Sequence, residues 1–392
     1  MTGNLLVAHG GGPTAVINAS LFGVVSEAKK HKEINGIFGA RFGIDGVLNE
    51  SFIDLGREPE SKIDRLPYTP SSALGSTRRK LTEDDYPRII EIFKRYNIRY
   101  FLYNGGNDSM DTCLKVAEAA GNYEIQVIGV PKTIDNDLAE TDHCPGFGSA
   151  ARYTAVSAME LFKEVAGLPI HVIVMETMGR NAGWLTAAAA LGRKSETDGP
   201  HLVYLPERVF REEQFVEDVR RWNSRVKGVL VVASEGLVDE KGESIANTGI
   251  LDGFGHKIPG GVGQALSNIL IKHGLKSRSE KPGLLGRNSI ALQSSVDRDE
   301  AIRVGVHAVQ CLMEGKTGYM VAIRRVTNTP YQSTLELVPL AKVANVERKM
   351  PDKFINKEGN GIEPSFADYC LPLLGEPLPD YVALDGVSVA KA

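Results

Sequence analysis

Short apolar runs rich in β-branched residues recur along the chain, and each stops at glycine or a polar cluster: NLLVAHGGG, IRYFLYNGGND, IQVIGVPKTIDND, PIHVIVMETMGR and GVLVVASEG. Runs of this length, bounded by turn residues, read as buried strands. Between them, segments such as 87–96 and 149–164 carry apolar residues at spacings of three and four, the pattern of amphipathic helices. Strands alternating with helices predict an α/β fold with doubly wound sheets. In open sheets of this kind ligands sit beyond the carboxyl ends of the strands, so these polar endings point at one or two clefts. A helix near Ser149 leaves the first strand group and Pro169 opens a second. Beyond Leu335 the pattern loosens into a stretch rich in Pro, Gly and Asn, read as surface wrapping, and the last residues read as a loose tail.

Composition narrows the classes. At 392 residues the chain exceeds what a single core usually holds, so two domains are expected. Its formal charge of −4 carries no basic excess of the kind that binds nucleic acid. The amino terminus lacks the basic start and apolar core of a secretory signal, and no apolar stretch reaches the ~18 residues of a membrane span. Cys113, Cys144, Cys311 and Cys370 lie far apart, with no CxxC pair, which fits reduced thiols in the cytoplasm.

The candidate chemistry lies in the strand endings. The glycines of HGGGPT let the backbone approach an anion, or simply make a tight strand-to-helix turn. After the next strand, Gly106 is followed by Asn107, Asp108 and Ser109, whose amides suit phosphate and whose oxygens suit a hydrated metal; Asx-turn capping uses the same residue types. Lys132, Thr133, Asp135 and Asp137 crowd the end of a third strand, Arg180 follows Met178 and Gly179, and Glu235 ends a fifth. Arg78 in GSTRRK can clamp a phosphoryl group, while Arg79 and Lys80 read as a solvated face. Phosphoryl transfer needs positioning, neutralisation of spread negative charge, a metal and a base for the incoming hydroxyl, and this set supplies each. A dinucleotide oxidoreductase fits less well, because the glycines lack the GxGxxG register.

The ordered set GGGPT, GSTR, GGNDS, PKTIDND, METMGR and SEG, over about three quarters of the chain, resembles the phosphofructokinases and in detail their pyrophosphate-dependent branch. The resemblance implies two doubly wound three-layer domains with the active site in the cleft between them: 1–148 with about 276–322 binding the donor, 149–275 with about 323–375 binding the sugar phosphate, and 376–392 a tail. It implies reversible, Mg2+-dependent transfer from pyrophosphate to the 1-hydroxyl of fructose 6-phosphate. Asp135 would be the base, with Thr133, Arg180 and Lys132 serving the transferred group. Gly12, Arg78, Gly106, Asp108, Ser109 and Lys132 would hold the donor; Met178, Gly179 and Glu235 would line the sugar site; Asp137 and Asn107 would serve the metal. In the ATP-using branch the positions of Asp108 and Lys132 are typically glycine. A carboxylate at Asp108 crowds and repels a nucleotide, and Lys132 adds charge for a compact donor.

Three positions depart from the family pattern. Asn107 replaces a customary aspartate, and His171 replaces an arginine that commonly reaches into a neighbouring subunit's site. In SRSEKPGLLGRNS, Arg278 and Arg287 occupy the two 6-phosphate arginine positions but Leu284 replaces the aromatic donor, which leaves sedoheptulose 7-phosphate as an alternative acceptor. The resemblance further implies at least a homodimer with shared sites, His171 and Arg278 forming the cross-chain pair. ATP dependence and a non-catalytic sugar-phosphate-binding subunit are the remaining readings; the presence of Asp135 stands against the latter.

Overall fold

The computed structural model describes residues 1–168, 172–251, 257–259, 261–384, 386 and 389. The first half supplies strands β1 (Gly3–His9), β2 (Ile34–Ala40), β3 (Phe52–Asp54), β4 (Ile98–Gly105) and β5 (Gln126–Pro131). The second supplies β6 (Val172–Thr177), β7 (Leu202–Tyr204), β8 (Val229–Ser234), a small pair β9 (Asn247–Leu251) and β10 (Lys257–Pro259), then β11 (Ser277–Glu280). β12 (Tyr319–Asn328) and β13 (Tyr331–Pro339) close the series. They form a seven-stranded sheet in the order β13-β12-β5-β4-β1-β2-β3 and a four-stranded sheet in the order β11-β6-β8-β7. The four-stranded sheet is wholly parallel, and the larger one is parallel except at its two antiparallel edges. The α/β architecture with mostly parallel sheets expected from sequence is present.

The continuous apolar runs have a direct cause: a parallel strand covered by helices on both faces must be apolar on both. Leu6, Ala8, Phe101, Tyr103 and Val127 face one core, while their neighbours Leu5, Val7, Tyr100, Leu102 and Ile128 face another. The smaller sheet repeats this, with Val172, Val174, Val229 and Val231 on one side and Ile173, Met175, Leu230 and Val232 on the other. Register aligns the strand ends: His9 lies opposite Asn104, Gly105 opposite Pro131, and Thr177 opposite Ser234. The polar endings therefore emerge together.

The expected helices at 87–96 and 149–164 are Asp85–Arg95 and Phe147–Gly167. The second starts early because Asp297 caps it: the carboxylate accepts N–H bonds from Gly146 (2.8 Å) and Ser149 (2.9 Å), free donors of the first turn. Strand membership crosses the segment limits expected from sequence at two places. β11, within 276–322, pairs with β6 of the smaller sheet, and the hairpin β12–β13 continues to Pro339 in the larger one. SRSE carries no apolar signal, being an edge strand with alternate residues exposed, and β13 likewise shows one face to solvent. After Pro339 the chain wraps both units. Leu340 and Val343 join the core of the larger sheet, and Met350, Phe354 and Phe366 pack with Trp184 and Leu185.

Candidate active site

β5 is buried to its last residue, and the chain then delivers Lys132, only 3% exposed. Its Nζ donates to the carbonyl of Gly12 at 2.7 Å, so the ammonium bridges the ends of β1 and β5. Burial pulls its pKa down to about 8, against the opposing pull of Asp135 and Asp137. Thr133 stands at the centre of the next turn: its hydroxyl accepts the Asp135 N–H (3.1 Å) and donates to Asp137 Oδ1 (3.2 Å). Between the two aspartates Asn136 adopts a left-handed backbone, φ +55°. Burial lifts the Asp135 pKa to about 7, with help from Asp137 and Glu235 and opposition from Lys132 and Arg180. That sets a carboxylate near neutrality, where a general base works best.

The wall beside the larger sheet is built from three loops. Asn107 opens the helix Asn107–Ala119, its Nδ2 donating to Asp137 Oδ2 at 3.3 Å while its Oδ1 is buried without a hydrogen-bond partner. Asp108 is exposed in the same first turn. Ser109 turns inward, its hydroxyl packed against Gly10 and Gly105. Arg78 and Arg287 converge on Gly12: a Cβ there would stand 2.7 Å from Arg287 Nη1 and 3.6 Å from Arg78 Nη2. Arg287, expected at the far phosphate of the sugar, stands beside the Gly12 turn. A cavity of about 540 Å³ opens among Gly11, Gly12, Ser72, Ser76, Arg78, Met178 and Arg287.

The opposite wall comes from the smaller sheet. Gly179 takes φ +116°, a conformation for glycine, and a Cβ there would meet the Ala182 carbonyl at 2.7 Å. Ser234 Oγ donates to the Gly179 carbonyl (2.6 Å), and the Glu235 N–H donates to Thr177 O (2.9 Å), which ties the two loops together. Arg180 is exposed and Glu235 half-buried. Arg278 is also exposed, on the edge strand β11 opposite Ile173, well before the cleft end of its neighbour. His171 lies outside the described residues.

Three contributors escaped the sequence reading. His9, buried at the end of β1, bonds through Nδ1 to Ser72 Oγ (2.7 Å), and Ser76 Oγ donates to Gly11 O (2.6 Å). Both fix the loop that carries Arg78; a histidine abutting a glycine triplet was the available signal. Arg79, read as solvated, pairs with Asp85 (3.2 Å) and Asp45 (3.4 Å) and anchors the same loop.

A metal would find the unpartnered Asn107 Oδ1 beside the Asp137 carboxylate. Among the described residues no group of three or more acidic, histidine or cysteine side chains could hold a metal ion. A two-oxygen seat suits Mg2+, which commonly takes one or two protein oxygens and completes its shell with substrate phosphates and water.

The sequence model of the family described as phosphofructokinase matches residues 4–312. The chain belongs to the phosphofructokinase family. It is 44% identical over 410 aligned positions to the pyrophosphate-fructose 6-phosphate 1-phosphotransferase of Xanthomonas campestris pv. campestris, covering 99% of this chain and 98% of that one. The crystal structure of the pyrophosphate-dependent phosphofructokinase of Nitrosospira multiformis superposes with a TM-score of 0.88 at 40% identity, over 98% of this chain and 94% of the other. The phosphofructokinase of Pichia pastoris shares the fold, with a TM-score of 0.69 at 18% identity over 88% of this chain and 35% of the other.

Proposed function

We propose that this phosphofructokinase catalyses reversible transfer of a phosphoryl group from pyrophosphate to the 1-hydroxyl of fructose 6-phosphate, giving fructose 1,6-bisphosphate and phosphate. The observation that carries the reading is the buried Lys132 ammonium, seated on the Gly12 carbonyl beside the Asp135 carboxylate. Asp135 takes the hydroxyl proton as the sugar oxygen forms its bond to phosphorus; the bond to the bridging oxygen of pyrophosphate breaks, and phosphate leaves with its electron pair. Lys132, Arg78 and Arg287 neutralise charge on the donor side, and Arg180 does so from the opposite wall. Mg2+, held by Asp137 and Asn107, would supply further neutralisation of the donor oxygens. Met178, Gly179 and Glu235 line the sugar side. Gly106 gives the donor its backbone amide, and Asp108, at the mouth of that loop, excludes a nucleoside. Ser109, expected among the donor-binding residues, is buried against Gly10 and Gly105, and in our reading it supports the turn instead.

We assign the donor to the larger-sheet unit and the sugar to the smaller. A homodimer with shared sites is our reading of the assembly. It draws on the exposure of Arg278, with His171 as its proposed companion across the interface. Four buried free cysteines support a cytoplasmic setting, and no described helix is long and apolar enough to cross a membrane. The test is a coupled assay with fructose 6-phosphate and Mg2+, comparing pyrophosphate with ATP. Turnover with pyrophosphate alone is expected. Turnover with ATP alone would overturn the donor assignment, and silence with both would overturn the acceptor or the activity.

A further inference from the structure

Asn136 separates Asp135 from Asp137 in the left-handed region, which asparagine enters more readily than other side-chain-bearing residues, and tertiary bonds constrain it further there. Apart from the Cys144 N–H, which donates to its Oδ1, these bonds come from the far end of the chain, beyond residues 4–312 matched by the family's sequence model. Arg348 Nη2 donates to the Asn136 carbonyl at 2.8 Å, and Nη1 donates to the carbonyls of Thr141 (2.6 Å) and Asp142 (2.5 Å). The Arg348 N–H donates to Asp137 O at 2.7 Å. Tyr369 completes the lock: its hydroxyl accepts from Asn136 Nδ2 (2.9 Å) and donates to Asp142 O (2.8 Å).

The same arginine touches the opposite wall. Its guanidinium carbon stands 4.7 Å from the ring centre of Trp184, whose indole N–H donates to Arg348 O at 3.2 Å. Trp184 begins the helix that follows the Arg180 loop, and beside it Asn181 Nδ2 donates to Glu347 Oε1 at 2.7 Å. One planar cation thus fastens three carbonyls of the aspartate turn and stacks on Trp184, which follows the arginine loop, a geometry open to a guanidinium and not to an ammonium.

We infer that Arg348 is a positioning residue for phosphoryl transfer, holding the 136–142 turn so that Asp135 and Asp137 face the cleft together in register with Arg180. This rests on Asp135 as the base. Displacing a reacting group by about an ångström costs on the order of 10²-fold, while the phosphate-binding side chains stay where they are. Steady-state kinetics of the full-length protein with pyrophosphate and fructose 6-phosphate test it, alongside thermal melting. Arg348→Met is expected to lower kcat on the order of 10²-fold with both KM values within about threefold, and methylguanidinium is expected to restore part of the rate to Arg348→Ala. A folded Arg348→Met enzyme with kcat near wild type, or with KM raised and kcat kept, overturns the inference. Should that variant not fold, Tyr369→Phe decides by the same split, with a loss of about three- to tenfold in kcat expected and an unchanged kcat overturning. Asp135→Ala is measured in parallel: if it stays active the base assignment falls and takes this inference with it, whereas a crippled Asp135→Ala beside a normal Arg348→Met removes this inference alone.

Discussion

The loops that follow β5 and β6 solve one geometric problem in opposite ways. Each leaves a parallel strand buried through to its last residue, and each bends through a left-handed residue to bring charge into the cleft: Asn136 at φ +55° and Gly179 at φ +116°. The first bend is held by side-chain bonds, with Asn136 Oδ1 accepting the Cys144 N–H at 3.0 Å and Nδ2 reaching Tyr369. The second is made by leaving a side chain out, since the Ala182 carbonyl fills the space a Cβ would take. The difference follows the work each loop does. A carboxylate tuned to about 7 depends on fixed distances to its neighbours, whereas the exposed Arg180 depends on the path of the backbone that carries it past Gly179.

Removing the group that the rigid loop exists to hold should have the largest effect. Asp135→Ala is expected to lower kcat about 10²–10⁴-fold, the usual contribution of a general base, and a rate near wild type would remove Asp135 from that role. Gly179→Ala attacks the other loop, forcing a Cβ against a carbonyl and moving Arg180. We expect kcat/KM for the sugar phosphate to fall on the order of 10²-fold, with stability reduced by about 1–3 kcal/mol, readable as a lower Tm. An unchanged kcat/KM would show that this bend is not set by the absence of a side chain. Lys132→Gly should reduce kcat/KM for pyrophosphate about ten- to hundredfold, the scale of a lost charge-assisted bond, without making ATP a good donor while Asp108 remains. Efficient ATP use by that single variant would overturn the gate.

The pH dependence sharpens the comparison without changing a residue. Asp135 must be ionised to accept the sugar proton, so the forward kcat/KM should fall below about pH 7, by about tenfold per unit once well below it. The reverse direction uses the protonated carboxyl and should decline above about pH 7. Parallel profiles in the two directions would separate the titration from Asp135.

What the sequence made legible was local. A strand that ends in KTIDND or METMGR carries its message in consecutive residues, because burial on both faces dictates the apolar run and the cleft receives what comes next. The two sheets and the positions of Lys132, Asp135, Asp137 and Arg180 were read this way. β11 was not, since SRSE pairs by backbone alone and its side chains report an exposed edge. Arg287 was placed by likeness to the family's arginine positions, and only the packing of its helix brings it to Gly12. Arg348 gives no local sign at all: an arginine before a lysine and a proline-rich stretch looks like surface, and its partners are carbonyls, which no sequence pattern displays.

The seat of Lys132 has a thermodynamic consequence. An ammonium held on a single carbonyl, away from water, keeps its proton only weakly, and at about pH 8 half of the empty molecules lack it. A pyrophosphate anion entering beside it restores the proton's hold. Near that pH donor binding would therefore draw in, on average, about half a hydrogen ion per protein, and affinity and acidity become two readings of the same equilibrium.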